Sequence, residues 1–155
     1  MRYRLLFLIT LLCFCACGTG IKNELDVIER QMAHSPDSAL VQLEKISLGQ
    51  LHSQGGKARY ALLKSMALDK NYIDVTDDSL INVAVNYYSG SRRQPKYKML
   101  AYYYKGIIQK NSGDYPAAII SFEKAGALAL EQKNWRYLGL IYRNTGGIFN
   151  MTNYY

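Results

Sequence analysis

The sequence predicts an all-α fold, and three of its features carry the prediction. Apolar residues recur at three- and four-residue intervals along most of the body, as in Leu25, Ile28 and Met32, which puts them on one face of a helix. Helix-opening residues precede such runs and helix-closing ones follow them, Ser35-Pro36-Asp37 and Ser89-Gly90 among them. Small and aromatic residues return at fixed offsets: Ala84 and Tyr88 recur as Ala118 and Phe122, in both cases 34 residues later. With 155 residues, 49% hydrophobic and 20% charged, the chain has the make-up of one ordinary globular domain.

Taken in order, Glu24–Ala33 carries Leu25, Ile28 and Met32 at helical spacing. Ser35 is the expected N-cap of the next helix, with Pro36 at its first position and Asp37 at the positive end of its dipole. Its inward face is Ala39, Leu40, Leu43 and Ile46, and the two helices form a degenerate first hairpin. Gly49–Gly56 reads as a polar connection, and a longer helix is expected from Lys57 to about Lys70. Asn71–Val75 turns the chain, and Thr76-Asp77-Asp78 opens a helix through Leu80, Ile81, Ala84, Val85, Tyr87 and Tyr88. The loop Ser91–Pro95 leads into a further pair of helices, and Trp135 begins a last one that runs to about Met151.

The best-formed stretch is Ala101–Ala125, two short helices with Gly113-Asp114 in the turn. Gly106 interrupts a good helical run at a cost of about 1 kcal/mol relative to Ala. A chain tolerates that where another backbone comes close, and Ala118 is the expected neighbour, so Gly106→Leu is expected to destabilise strongly. The pattern Tyr102-x2-Lys105-Gly106 … Gly113-Asp114-Tyr115 … Ala118-x3-Phe122-x2-Ala125 resembles a tetratricopeptide repeat, a helix–turn–helix unit of about 34 residues. Lys105, Gln109 and Leu130 depart from the family's preference for Leu, an aromatic and Pro.

The resemblance implies an irregular helical-hairpin solenoid over 23–155, about three hairpins plus a lone final helix. The best repeat covers about 99–132 and an incomplete one about 135–155. Ser65, Gly106 and Gly146 take the small position of successive first helices. With Ala84, Tyr88, Ala118, Phe122 and Ala125 they are the expected repeat-packing residues. The last unit, Tyr142-x2-Thr145-Gly146-x2-Phe149 … Asn153-Tyr154-Tyr155, stops where its second helix should start, so a truncated array is the expectation. Each unit buries its neighbour's open face.

Met1-Arg2-Tyr3-Arg4 followed by the twelve-residue stretch Leu5–Ala16, apolar but for Thr10, has the proportions of a signal-peptide core and falls short of the roughly 20 needed to span a bilayer. Its exit, Phe14-Cys15-Ala16-Cys17-Gly18, resembles a bacterial lipobox, in which the Cys after a small residue is cleaved and lipidated. That implies a signal over 1–16, lipidation at Cys17 and a flexible tether over 17–22. It places the protein exported and lipid-anchored at an envelope membrane, on the periplasmic or outer-membrane face. Multiple acyl chains anchor stably where one does so only marginally. All three cysteines lie in this segment, so none remains in the body for a disulfide or a metal.

The formal charge of +7 falls to +5 without Arg2 and Arg4, mild enough to permit an acidic partner without demanding nucleic acid. Arg92, Arg93, Lys96 and Lys98 form the one basic cluster, read as a solvated loop. No nucleophile elbow, phosphate loop, dinucleotide fingerprint or metal-spaced His/Cys group occurs, so no enzyme activity, cofactor or small-molecule substrate is expected. His34 and His52 read as exposed, and most of the fourteen tyrosines as wedges between helices.

Repeat arrays of the resembled family line a concave groove with their first helices. Carried over, the groove presents Arg59, Leu62, Met66, Asp69 and Lys70, then Tyr103, Ile107, Lys110 and Asn111, then Arg143, Gly147 and Asn150. This set does not reproduce the Lys/Asn clamp that some members of the family use for carboxylate tails. The implied function is a membrane-anchored, non-catalytic scaffold that binds a protein or peptide. The alternative is the N-terminal sensory segment of a longer signalling or transcription-regulator-like protein.

Overall fold

The computed structural model describes residues 20–152, and within them the fold is all-helical. The expected signal over 1–16, the lipidation site Cys17 and the final Asn153-Tyr154-Tyr155 lie outside the described residues. Seven α-helices follow one another: α1 over 20–31, α2 Pro36–Lys45, α3 Gln54–Lys70, α4 Ser79–Ser89, α5 Pro95–Asn111, α6 Tyr115–Glu131 and α7 Trp135–Thr152. A 3-10 turn, Leu48–Gln50, lies between α2 and α3. Residues 20–22, expected in a tether, are the first turn of α1.

Apolar spacing decides which face each helix buries. Leu25, Ile28 and Met32 of the first hairpin join Ala39 and Leu43 in one continuous core that runs on to Ile141 and Ile148. Each helix from α2 onward packs on the next in sequence, and α3 also touches α5, as α5 touches α7. Helices α3, α5 and α7 therefore lie side by side in a row. Tyrosines serve as wedges in that row. Tyr88, Tyr103 and Tyr104 are buried, and Tyr103 meets Tyr137 edge-on at 5.1 Å between ring centroids. Such edge-to-face pairs add to area burial because the positive ring edge meets the negative face.

The ends of the helices repeat as well. In the turns after α3, α5 and α6 the residue following the C-cap is left-handed: Tyr72 (φ 59°), Gly113 (φ 81°) and Lys133 (φ 53°). Each turn is closed by an amide reaching back five residues, Ile73 to Leu68, Asp114 to Gln109 and Asn134 to Ala129, at 2.8–3.0 Å. Left-handed backbone at a helix end satisfies carbonyls that the helix leaves unpaired. Only one of the three positions is the glycine that a sequence reader looks for.

Three local expectations are corrected. Helix α3 begins at Gln54, not Lys57, because Ser53 caps it by accepting the Gly56 amide at 3.0 Å. Gly55 is then inside the helix, under Tyr87, whose hydroxyl oxygen would stand 2.9 Å from a β-carbon. Ser35 holds the N-cap position of α2, but its side chain accepts no capping hydrogen bond.

Among the repeat-packing residues, Ser65, Ala84, Tyr88, Gly106, Ala118, Phe122 and Ala125 are buried. At Gly106 the close neighbour is the Phe122 ring rather than Ala118: a β-carbon there would meet ring atoms at 2.7 Å. Gly146 departs altogether. It is exposed, with nothing within 4 Å of the place a β-carbon would take.

Candidate functional site

The row α3, α5, α7 sets side chains from three helices next to one another. Met66, Tyr103 and Ile107 were expected on a partner-facing surface, as was Leu62, but all four are buried, between 0% and 6% exposed. They hold the row together and cannot reach a ligand. What remains accessible is polar. Asp69 and Lys70 end α3, Lys110 and Asn111 end α5, and Arg143, Gly147 and Asn150 lie along α7.

Lys110 crosses from α5 to donate from Nζ to Oδ1 of Asn144 on α7, at 2.8 Å. Asn144 uses its amide to donate to the Leu140 carbonyl at 2.9 Å, which fixes its orientation. Asp69 makes no ion pair among the described residues. Burial pushes its carboxyl above the ordinary range, against the pull of Lys110, Lys70 and Arg143. Chemically this is a short polar seam with more cations than anions. Asn144 was missed from the sequence because a mid-helix asparagine carries no signal of its own; its burial comes from the neighbouring helices.

Arg59, also expected in the groove, is committed elsewhere. Its guanidinium pairs with Asp26 at 2.8 Å and with Glu29, both on α1, and lies over the Tyr97 ring at 4.7 Å. Glu29 in turn accepts from Lys96 Nζ at 2.7 Å and from the Tyr97 hydroxyl at 3.1 Å. One carboxylate thus ties α1, α3 and α5 together. Burial raises the Glu29 carboxyl, but the hydrogen bond from Lys96 and the charges of Arg59 and Lys96 hold it below its ordinary value. Lys96 is raised by the same bond. Lys96, itself exposed, therefore reaches back to the half-buried Glu29 carboxylate and is not simply part of a solvated loop. His34 and His52 are both exposed.

Beside this tie an open cavity of about 250 Å³ is walled by Ile21, Leu25, Arg59, Tyr87, Tyr88 and Gln94. No nucleophile–base pair lines it. Among the described residues no group of His, Cys, Asp and Glu is placed to hold a metal ion, and no helix is long and apolar enough to cross a membrane. Comparison with protein-family models, with characterised proteins and with solved structures finds no match for the chain.

Proposed function

We propose that the protein is a tetratricopeptide-like helical solenoid acting as a non-catalytic binding scaffold, lipid-anchored through Cys17 to a cell-envelope membrane. The observation that supports this most is the row of α3, α5 and α7, in which each helix packs on the next-but-one as well as on its sequence neighbour. A row of that kind offers a continuous surface across several units, suited to a polypeptide and poorly suited to enclosing a reaction. The polar seam of Asp69, Lys110, Arg143 and Asn150, held from beneath by the buried Asn144, is the part of that surface open to a partner. The Ala16-Cys17 pair after an apolar leader supports the anchor. The word "binding" rests on architecture and not on a recognised ligand.

Two arms test the reading. Cys17→Ser should move the protein from the membrane to the soluble fraction; persistence at the membrane contradicts the anchor. Cross-linking in intact membranes should capture a polypeptide partner, and a double variant Lys110→Glu/Arg143→Glu should lose it. Recovery of no partner, or of the same partner with the reversed charges, contradicts the scaffold role of the seam.

A further inference from the structure

Helix α1 starts at residue 20, three residues past Cys17, so a lipid on Cys17 stands within about 11 Å of its first turn. With the protein anchored there, as proposed above, the end of the molecule where α1 begins faces the membrane. Other helix ends meet at the same place. The first turns of α1 and α3, the last turn of α4 and the residue before α5 wall one cavity, through Lys22, Gly55, Tyr87 and Gln94. Gln132, which follows α6, donates from Nε2 to the Pro95 carbonyl at 3.2 Å, so α6 ends against the start of α5. The remaining termini gather at the far end. Asn71, after α3, donates to the Pro36 carbonyl at the start of α2 at 2.9 Å, and Asp78, before α4, stands 3.7 Å from Lys105 of α5.

Charge divides between the two ends. Lys22, Lys57, Arg92, Arg93, Lys133 and Arg136 are exposed at the α1 end, and none is in an ion pair among the described residues. Against them stand the exposed carboxylates Glu24, Glu44 and Glu131, of which Glu44 is paired with Lys64. Asp26 and Glu29 are taken up by Arg59 and Lys96. At the far end Asp37, Asp69, Asp74, Asp77, Asp78 and Asp114 outnumber Arg30, Lys70 and Lys110.

We propose that the α1 end is apposed to anionic phospholipid headgroups, with Lys22, Lys57, Arg92 and Arg93 meeting the phosphates. An anionic surface attracts the basic end and repels the acidic one, and the force is felt within about a Debye length, roughly 8–10 Å. The tether from Cys17 is short enough to hold the basic end inside that range. Each basic residue strengthens adsorption only about fivefold. These contacts therefore set orientation, while retention at the membrane is left to the lipid. The Asp69 and Lys110 part of the seam lies at the far end and so points away from the membrane, toward a partner.

The test floats the Cys17→Ser chain with vesicles of phosphatidylcholine alone or of equal parts phosphatidylcholine and phosphatidylglycerol. At low salt it should bind the mixed vesicles about tenfold or more tightly than the neutral ones, and the preference should vanish as salt rises. Adding Arg92→Glu/Arg93→Glu should remove about tenfold of that preference, and Lys22→Glu/Lys57→Glu, on two other elements, should act alike. Arg30→Glu/Lys124→Glu makes the same change in net charge away from this end and should weaken binding no more than about threefold. All six side chains are exposed, so each variant should keep the parent's helical circular dichroism. Equal binding to the two kinds of vesicle overturns the proposal. Equal losses in all three double variants also overturn it, by reducing the attraction to net charge. The anchor is judged separately, by where Cys17→Ser fractionates in cells, so either reading can fail while the other holds.

Discussion

Gly106 and Gly146 stand in matching places on α5 and α7, and one is sealed while the other is bare. At Gly106 an added β-carbon would strike the Phe122 ring at 2.7 Å; at Gly146 it would touch nothing. Both helices bury matching positions on their inner side, Ala101, Tyr104 and Ile108 on α5 and Ile141, Asn144 and Ile148 on α7. The difference is made entirely by α6, which covers α5 and has no counterpart over α7 among the described residues. A small residue in a helix is therefore not itself a packing feature. It becomes one when the next element arrives.

The largest effects should separate the surroundings of Gly106 from those of Gly146. Phe122 is fully buried, so Phe122→Ala should cost about 3–5 kcal/mol in urea unfolding, the usual price of an aromatic cavity. Phe149 is half exposed, and Phe149→Ala should change stability by no more than about 0.5 kcal/mol. Comparable losses at the two positions would mean that Phe149 is covered in solution.

A second contrast sets the Glu29 tie against the Asp69 seam. Glu29→Gln removes the partner of Arg59 and Lys96 on a side chain 16% exposed, and should cost about 1–3 kcal/mol at neutral pH. Because the folded carboxyl lies below its ordinary value, that contribution is complete above the unfolded carboxylate range. It fades as the pH falls through the folded value. Asp69 has the opposite sign. Its folded carboxyl is raised, so its contribution is complete below the unfolded range and lost as the pH rises through the folded value. Asp69→Asn should therefore stabilise slightly at neutral pH, by about 1 kcal/mol at most, with no gain in acid. Equilibrium unfolding of both variants from neutral to acid pH checks the two signs together.

Smaller still are the turns. Tyr72 and Lys133 hold the left-handed backbone that Gly113 holds without strain, so Tyr72→Gly and Lys133→Gly should each raise stability by up to about 1 kcal/mol. Gly113→Ala should lower it by a similar amount, and thermal melts of the three variants order them.

Much of this architecture is legible in the sequence because helical periodicity and breakers are local signals. Leu25/Ile28/Met32, the Asp77-Asp78 start and the Gly113-Asp114 turn all read directly. The candidate site is legible only in part. Leu62, Met66, Tyr103 and Ile107 lie on the helices expected to line a groove, but whether a side chain lines a surface or fills a core depends on how closely those helices approach. Arg59 is claimed by Asp26 and Glu29, 33 and 30 residues earlier, a pairing no local pattern announces. Asn144 is polar on a buried ladder for the same reason: Lys110 on another helix makes it acceptable there.

The central claim is that α5 and α7 are equivalent helices of which only α5 is covered. Gly106→Ala and Gly146→Ala, measured side by side by urea unfolding, test it most directly. Gly106→Ala should lose about 1–2 kcal/mol, because overpacking against Phe122 outweighs the helical gain. Gly146→Ala should gain up to about 1 kcal/mol from helix propensity alone. Changes of the same sign and size at both positions would contradict the account.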